Sequence, residues 1–573
     1  MSNFKSNKMK QKLQNYLMAI LLTGMVSNAQ ITGPSSSATP YLLNSTSGST
    51  ITSLLTAGDA IGGYKFSGIP DGTGAFDNGD GNFTVLINHE LGSTSGVARA
   101  HGTKGAFVSK WIVRKSDLTV LSGSDLIQSV YAWNVTTSSY ELATTTFNRF
   151  CSADLPATSA FYNSVTGLGT QVKIFLNGEE SGTEGRAFGH IVTGTDAGKS
   201  YELPLLGKYS WENAVANPNT NNKTIVAGTD DTTPGQVYMY IGTKTNTGTE
   251  IEKAGLTNGK LWGVAVTGYT TESSTVLPAT NAPFTLVDLG NVSGITGATL
   301  ETNSTTANVT KFLRPEDGAW NPVNKNIFYF ATTNSFTAPS RLWKLTFTDI
   351  NNPELGGTIN AILDGTEGQK SLDNLTVSND GTKLFLQEDV GNQAHIGKIW
   401  VYDIATDALS LVAEHDSTRF VTGGANFLTQ DEESSGIIDV SSILGANTFL
   451  FVDQAHYTTG ISTDVVEGGQ LLTIKINNYT LSNPSTKFEN SISLYPNPAN
   501  NEARIQFSSV ENADISISIY DTLGKLILKS ESNVINQGNS EIAINTQNLN
   551  NGLYFLKVTS GNNEANLKLI VKH

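Results

Sequence analysis

Short apolar runs that end in acid or amide side chains recur along the chain. Six of them share this pattern: residues 84–90, 173–180, 224–231, 327–334, 383–389 and 448–454. Several are followed by a second run with an aromatic residue at its centre, as in residues 236–240, 341–345 and 398–402. Repeated strand pairs at irregular intervals, averaging roughly 60 to 75 residues, are typical of β-propeller blades that carry loop insertions. The pattern predicts a propeller over residues 30–480.

The acids at the ends of these runs predict a cation site. If each apolar run is the innermost strand of a blade, its polar end lies near the propeller axis and the carboxylates of separate blades converge. Converging carboxylates repel one another unless a multivalent cation neutralises them. A cluster of six to eight oxygen ligands suits Ca²⁺. The alternative is that these acids are ordinary solvated residues at strand ends.

Composition narrows the class of protein. Only 15% of the 573 residues are charged, 38% are hydrophobic and 55 are glycine, which favours many short strands joined by turns over a helical bundle. The net charge of −15 argues against a nucleic-acid partner. Cys151 is the single cysteine, so the chain has neither an internal disulfide nor a cysteine-rich zinc site.

The first 29 residues have the order of a secretory signal peptide. Lysines at positions 5 to 12 precede an apolar stretch at residues 16–26, and small residues follow, which predicts cleavage after Ala29. The apolar stretch is short for a membrane span, and no later segment provides 18 consecutive apolar residues. An exported protein with no transmembrane segment is predicted, with an uncleaved anchor as the alternative.

The last 83 residues form a separate domain by composition. All seven tryptophans precede residue 480, and a polar linker is predicted at residues 481–490. In residues 491–573, short runs of alternating apolar and polar residues predict a small antiparallel β-sandwich. The motifs at 493–499, 519–524 and 551–557 resemble the carboxy-terminal sorting domain of type IX secretion. That resemblance implies a protein of the Bacteroidetes that engages the type IX secretion machinery and is secreted or displayed at the cell surface.

Three positions have chemistry with more than one interpretation. In Asn88-His89-Glu90 the glutamate is the better candidate ligand, since a lone histidine is more often packed or solvated. Arg314 belongs to a predicted turn, Arg314-Pro-Glu-Asp-Gly318, where its planar fork suits a phosphate group or a structural ion pair. Cys151 is either a buried apolar thiol or a soft ligand for iron.

Taken in order, several short motifs of the body resemble the PhoX-type alkaline phosphatases. They are Asn88-His-Glu90, Gly178-Glu-Glu180, the segment 206–212, Gly228-Thr-Asp-Asp231, Arg314-Pro-Glu316, Leu372-Asp-Asn-Leu375 and Gln387-Glu-Asp389. The resemblance implies an all-β, six-bladed propeller that hydrolyses phosphomonoesters at an axial cluster of calcium and iron ions. It implies Arg314 as the phosphate-binding residue and seven metal ligands: Glu90, Glu180, Glu212, Asp231, Glu316, Glu388 and Asp389.

Two features depart from the family pattern. Gly178 stands where a cysteine is expected before the paired glutamates, so iron is predicted only if the loop of Cys151 folds back to the axis. The signal lacks the Arg-Arg pair of the twin-arginine export route that is usual in the family. Calcium is therefore the predicted cofactor.

The sequence thus predicts a secreted metal-dependent phosphoesterase that acts on a small phosphorylated substrate. Two other functions remain open. One is a calcium-stabilised propeller that binds surface ligands without turnover, and the other is a different metal-assisted hydrolase, such as a lactonase.

Overall fold

The computed structural model describes most of the chain, in two compact units that comprise residues 1–478 and 479–573. The described residues are 29–45, 49–218, 221–476, 492–509, 513–522, 525–530, 533–535, 538–560 and 563–573. Apart from Ala29, the predicted signal peptide lies outside them, as does the predicted linker at 481–490.

The first unit is a six-bladed β-propeller, which confirms the predicted fold class. Five short strands precede the first blade: β1 (Ala29–Thr32), β2 (Leu42–Asn44), β3 (Ser49–Thr56), β4 (Ala60–Ile61) and β5 (Tyr64–Lys65). Blade I has four strands: β6 (Pro70–Asp77), β7 (Asn82–His89), β8 (Phe107–Arg114) and β9 (Val120–Asp125). The strands of each blade follow one another from the axis outward, and the innermost strand lines the central channel.

In blade II the two outermost strands come first in the sequence. Its strands are β10 (Ser129–Asn134), β11 (Ser139–Ala143), the innermost β12 (Phe150–Asp154), β15 (Ile174–Glu179), β16 (Ala187–Ile191) and β17 (Lys199–Glu202), with the hairpin β13 (Tyr162–Asn163) and β14 (Leu168–Gly169) inserted. Blade III comprises β18 (Trp211–Ala216), β19 (Lys223–Asp230), β20 (Gly235–Thr243), β21 (Lys260–Val266) and β22 (Ala282–Gly290), with β23 (Lys311–Phe312) beside β20.

Blade IV shares its outer edge with blade III, because their last strands pair. Its strands are β24 (Pro315–Trp320), β25 (Ile327–Thr332), β26 (Arg341–Phe347) and β27 (Gly357–Leu363). Blade V has β28 (Leu372–Val377), β29 (Lys383–Glu388), β30 (Lys398–Asp403) and β31 (Ala408–His415). Blade VI has β32 (Glu432–Asp439), β33 (Thr448–Ala455) and β34 (Gly468–Ile476).

The ring is closed by the amino-terminal strands. β3 pairs with β34 as the fourth strand of blade VI, and β1 pairs with β3. β2 adds to the outer edge of blade V through β31. The innermost strands β6, β12, β18, β24, β28 and β32 contact one another in this order, and β32 returns to β6. The two ends of the propeller chain are therefore held together in blade VI.

The six apolar runs are not the innermost strands, as the sequence analysis had expected, but the second strand of each blade. Their residues form β7, β15, β19, β25, β29 and β33, which are buried almost throughout. The neighbouring blades cover both faces of a second strand, so its sequence is a continuous run of apolar residues. The innermost strands line a channel, and they are consequently richer in polar residues.

Helices are short and lie between strands. They are α1 (Thr158–Phe161), α2 (Glu250–Lys253), α3 (Gly297–Thr306), α4 (Ser417–Phe420) and α5 (Ser441–Leu444), with 3₁₀ turns at Pro204–Leu206 and Pro353–Leu355. The N-cap of the ten-residue α3 is Thr296, whose side chain accepts a hydrogen bond from the Thr299 amide.

The second unit is a small antiparallel β-sandwich, as predicted. One sheet contains β35 (Ile492–Tyr495), β36 (Glu502–Ser509) and β40 (Gly538–Asn545); the other contains β37 (Ala513–Tyr520), β38 (Leu526–Lys529), β39 (Asn533–Ile535), β41 (Gly552–Ser560) and β42 (Asn563–Val571). Alternate residues of the two sheets, among them Ile505, Ile517, Leu556 and Leu569, form its core.

Candidate active site

A ring of five carboxylates and one thiol lines the mouth of the channel. Each innermost strand contributes the side chain of its second residue, and we call these six residues the inner ring: Asp71, Cys151, Glu212, Glu316, Asp373 and Glu433. All six are buried. The same position in six different blades thus supplies an ionisable group to one end of the axis.

A repeated β-bulge sets the direction of the inner-ring side chains. In blade I, Pro70 pairs with His89 and Thr73 pairs with Ile87, so two residues, of which Asp71 is the first, stand opposite one residue of β7. The same two-against-one register occurs at the inner-ring residue of blades II, III, IV and V. A bulge bends the strand and re-aims side chains. Its repetition at one level explains how five blades direct ionisable groups to the channel mouth.

A second set of side chains follows the second strands. The residue immediately after the second strand of each blade lies at the same end as the inner ring, because the two strands are antiparallel. We call these six residues the outer ring: Glu90, Glu180, Asp231, Thr333, Asp389 and His456. Four of the seven predicted ligands belong to the outer ring and two, Glu212 and Glu316, to the inner ring.

Burial makes the inner ring costly to ionise. Burial first, and then the neighbouring acids, raise the pKa values of Asp71, Glu212 and Glu433 well above their ordinary range. Burial likewise raises the pKa of Glu316, although Arg314 opposes the shift. Among the described residues, no hydrogen bond or ion pair reaches Oε2 of Glu316, and no hydrogen bond reaches Oδ1 of Asp71. Buried oxygens of this kind are free to ligate a cation.

Two groups within the rings have the spacing of metal ligands. Asp71, Glu90 and Cys151 offer ligand atoms within 4.8 Å of one another, and so do the carboxylates in the second group, Glu212, Glu316 and Asp373. The all-carboxylate group suits a hard cation, whereas a thiol in the first group adds a softer ligand. The residues present therefore fit a metal cluster at the channel mouth.

Cys151 lies at the axis and not on a distant loop. It is the second residue of the innermost strand β12, and its Sγ donates a hydrogen bond to Oε2 of Glu180 at 3.1 Å. Burial, followed by the charge of Glu90, raises the pKa of the thiol well above its ordinary value. Cys151 therefore reaches the axis, which a thiol ligand at this site requires.

The space beside Gly178 is filled by Trp211 of blade III. Gly178 lies in β15 opposite the bulge of Cys151, and a Cβ atom there would approach Cβ of Trp211 to 2.3 Å. The glycine therefore permits close packing of blade II against blade III. A cysteine at this position would contact the tryptophan.

Arg314 precedes strand β24 and stands beside two predicted ligands. Its Nε and Nη2 donate to the two carboxylate oxygens of Asp231 at 2.8 and 2.9 Å, and Nη2 lies 3.0 Å from Oε1 of Glu316. The guanidinium also lies 5.2 Å from the ring centroid of Phe336. The predicted turn at residues 314–318 is wrong, because Pro315–Trp320 is the innermost strand; proline is tolerated as its first residue.

Glu388 does not join the rings, although it was predicted as a ligand. It is the last residue of β29, and its side chain accepts hydrogen bonds from the Lys370 amide and from the indole of Trp400 at 3.0 and 2.8 Å. His395 lies 2.9 Å from its other oxygen. Successive residues of a strand point to opposite faces, so Glu388 is directed within blade V while Asp389 reaches the mouth.

A second arginine at the mouth was not identified from the sequence as a candidate. Arg149 immediately precedes β12, and its Nη2 lies 2.6 Å from Oε1 of Glu90 and also contacts Oε2 of Glu180. Its side chain is 49% exposed, against 20% for Arg314. Its pairing with two outer-ring acids shows that it belongs to the site.

The rings open into a cleft of about 560 Å³. Its walls include Glu90, Arg149, Phe336, Asp389, Glu433 and His456. Nδ1 of His456 lies 2.6 Å from Oε2 of Glu467, and hydrogen bonding to this glutamate raises the pKa of the histidine to about 9 against the effect of burial. The cleft is large enough for a small phosphorylated molecule.

Two family models match separate parts of this chain. The family model described as "Alkaline phosphatase PhoX" matches residues 167–408, and that described as "Secretion system C-terminal sorting domain" matches residues 493–572. The resemblance to PhoX is confirmed. The matched segment of this PhoX-like propeller includes Glu180, Glu212, Glu316 and Asp373.

A solved structure supports the fold of the PhoX-like propeller. Pseudomonas fluorescens PhoX in complex with vanadate, a transition state analogue, superposes with a TM-score of 0.51 at 10% identity, covering 79% of this chain and 98% of the other. Sqt1 of Chaetomium thermophilum, solved with the N-terminus of ribosomal protein L10, gives a TM-score of 0.32 at 9% identity, with 71% and 97% coverage. No curated protein matches the sequence.

The sorting domain directs the PhoX-like propeller to export. Its match at residues 493–572 indicates type IX secretion, with delivery to the cell surface or the medium. None of the helices in the described part of the chain has the length and apolar character that a membrane crossing needs.

Proposed function

We propose that the protein is a secreted, metal-dependent phosphatase that hydrolyses phosphomonoesters at the channel mouth. The observation that carries the proposal is the inner ring, in which five carboxylates and a thiol converge from six blades. The match to the PhoX family model over residues 167–408 supports the reaction class. The fold of the vanadate-bound PhoX agrees with this assignment.

Calcium is the cation that the all-carboxylate group favours. Glu212, Glu316 and Asp373 would hold Ca²⁺, which prefers several carboxylate oxygens. The group with Asp71, Glu90 and Cys151 would hold a softer ion such as iron, since a thiolate stabilises transition metals. When bound, such cations polarise a phosphoryl oxygen and favour an oxygen nucleophile.

The residues of the chain bind and orient the substrate. Asp231 engages Nε and Nη2 of Arg314 and so fixes the plane of the guanidinium. Among the described residues, Nη1 of Arg314 has no hydrogen-bond partner, so its two N–H groups are available to a phosphoryl oxygen. A fixed donor aimed at the transferring group stabilises the charge of the transition state.

The proposal is tested with purified protein and p-nitrophenyl phosphate. Hydrolysis is expected in calcium, is expected to stop in excess chelator, and is expected to return when metal is restored. Glu316→Gln should abolish both turnover and calcium-dependent stabilisation, because it removes a ligand from the all-carboxylate group. Glu388→Gln is the control, since it changes an equally buried acid that is directed away from the rings.

The alternatives give different results in the same assays. A binding propeller would retain the calcium-dependent rise in melting temperature and show no turnover. Another metal-assisted hydrolase would hydrolyse a lactone or a carboxylic ester and leave the phosphomonoester intact. Equal metal responses of the Glu316 and Glu388 variants would contradict the assignment of the inner ring as a metal site.

A further inference from the structure

Arg149 and Arg314 occupy equivalent positions in two blades. Each immediately precedes an innermost strand, and each has a left-handed backbone, with φ of 49° and 58°. Each also pairs with the outer-ring acid of the preceding blade, Glu90 for Arg149 and Asp231 for Arg314. The same conformation recurs at the residue before the innermost strand of blades I and V, so it belongs to the entry into these strands and holds the two arginines in equivalent orientations. The propeller therefore presents two guanidinium groups at the same level of one mouth.

The surroundings of Arg149 suit an anionic ligand. The side chain is about half exposed and lines the cleft of about 560 Å³. Most charged residues of that cleft are acids, including Asp389, Asp431 and Glu433. A phosphomonoester carries close to two negative charges above pH 7, so acidic walls repel it unless cations offset them. Arg149 is a permanent cation at this position.

The contacts of Arg149 position its guanidinium. Glu90 and Glu180 belong to blades I and II, and the same Nη2 lies between them. The backbone of Arg149 is also anchored, because its amide donates to the Leu91 carbonyl and its carbonyl accepts from the Glu180 amide. A planar, doubly held guanidinium is suited to bind two oxygens of one phosphoryl group, which a lysine cannot do with the same geometry.

We propose that Arg149 is a second substrate-contacting arginine, which recognises the second negative charge that distinguishes a phosphomonoester from a phosphodiester. This inference rests on the proposed phosphatase function. Arg314 binds near the all-carboxylate group, and Arg149 binds the phosphoryl group from the side of Glu90. Substrates with a terminal, dianionic phosphoryl group are therefore the preferred class.

The test measures binding apart from turnover. Inorganic phosphate, a dianion at pH 8, is titrated by calorimetry into the metal-loaded full-length protein and its Arg149→Ala and Arg149→Lys variants. Arg149→Ala should weaken phosphate binding on the order of tenfold, with a matching rise in KM for p-nitrophenyl phosphate and a smaller change in kcat. Arg149→Lys should recover part of the affinity. Each substitution should weaken the binding of dimethyl phosphate, a monoanion, less than it weakens the binding of phosphate.

The control variant is Arg114→Ala. Arg114 is 45% exposed and pairs with Asp117 on an outer strand of blade I, so its loss should leave phosphate affinity unchanged. The metal content of every variant is measured by mass spectrometry. An unchanged phosphate affinity in Arg149→Ala overturns the inference, and so does weaker binding that is accompanied by loss of metal, which would assign Arg149 to ligand positioning. Failure of the wild type to hydrolyse any phosphomonoester would overturn the phosphatase function, while the phosphate titration would still decide the role of Arg149.

Discussion

Single residues at this mouth have separable roles, because neighbours in sequence face different environments. Glu388 bonds with groups of its own blade, and the next residue, Asp389, reaches the cleft. Burial raises the pKa of Asp389 to about 6. The sequence identifies these acids but not the direction in which each side chain points. Side chains alternate between the two faces of a strand, and the sequence does not show which of the two faces is directed toward the axis.

The residues that sequence reasoning missed have a common cause. Asp71, Asp373 and Glu433 lie in strands with many polar residues, which have no apolar run to mark them. A usable signal existed in the spacing, since Asp71 precedes Glu90, and Glu212 precedes Asp231, by the same interval. The interval differs in the other blades because the connections vary in length, so the repeat could not be recognised from the sequence alone.

Arg314 provides the sharpest prediction at this scale. Arg314→Ala should reduce kcat/KM on the order of 10²-fold, about 3 kcal/mol of transition-state stabilisation, because it removes the donors aimed at the phosphoryl group. Alanine and arginine both carry a Cβ atom, so the left-handed backbone adds no new strain. Steady-state kinetics and the metal content of the variant check the prediction.

Arg314→Lys serves as the control for that variant. It keeps the charge beside Asp231 and Glu316 and loses the planar fork, so it should retain more activity than alanine. Wild-type turnover in Arg314→Ala would instead make Arg314 a structural ion-pair partner, which is the alternative that its contacts with the two acids also allow.

At the scale of elements, the site depends on a bulge rather than on a loop. Five innermost strands carry the bulge at the inner-ring residue, and in blade VI the register shifts later, between Ser435 and Ile438. Each of the six apolar runs is a strand, as the pattern predicted. It assigned them to the wrong layer because burial on both faces, and not proximity to the axis, makes a strand uniformly apolar.

Close packing between blades II and III gives a prediction for Gly178. Gly178→Ala should destabilise the protein by about 1–3 kcal/mol, because the added methyl group has no room beside Trp211. A lower denaturant midpoint at unchanged slope would show this. Gly294→Ala is the matched control, since a Cβ atom at that position would come no closer than 3.8 Å to its nearest neighbour, a methyl carbon of Val135. Equal midpoints for the two variants would contradict the packing argument.

At the scale of the whole molecule, the six blades concentrate acid at one place on an already acidic chain. The net charge is −15, and inner-ring carboxylates from every blade except blade II meet at one mouth. Self-repulsion of this kind opposes the compact state. The propeller fold and the separate sorting domain could both be recognised from the sequence. The sequence also predicted that acids of separate blades converge, but it could not identify the inner-ring residues, because the apolar pattern marks the second strand of each blade and not the innermost one.

This concentration of acid couples stability to pH and to metal. Below the inner ring, Asp154 and Asp317 line a cavity of about 220 Å³, and burial raises the pKa of each from its ordinary value of 3.8 to about 7. Between about pH 4 and 7 the folded protein keeps protons that the unfolded chain has released. Stability from these groups is therefore fully present below pH 4 and is lost as pH rises through 7.

We therefore expect the melting temperature in excess chelator to fall between pH 5 and pH 8. Calcium should remove most of this fall, because a cation bound by Glu212, Glu316 and Asp373 replaces protons in offsetting the acids, and its binding to the folded state alone adds stability as RT ln(1 + [L]/Kd). Exposed acids with lowered pKa values, such as Asp77 and Asp464, make the folded state more stable as the pH rises. They titrate below pH 5, so they do not affect the melting temperature between pH 5 and pH 8. Differential scanning calorimetry at matched ionic strength measures both curves. A melting temperature in chelator that rises with pH would show that the buried acids are ionised and solvated without a cation.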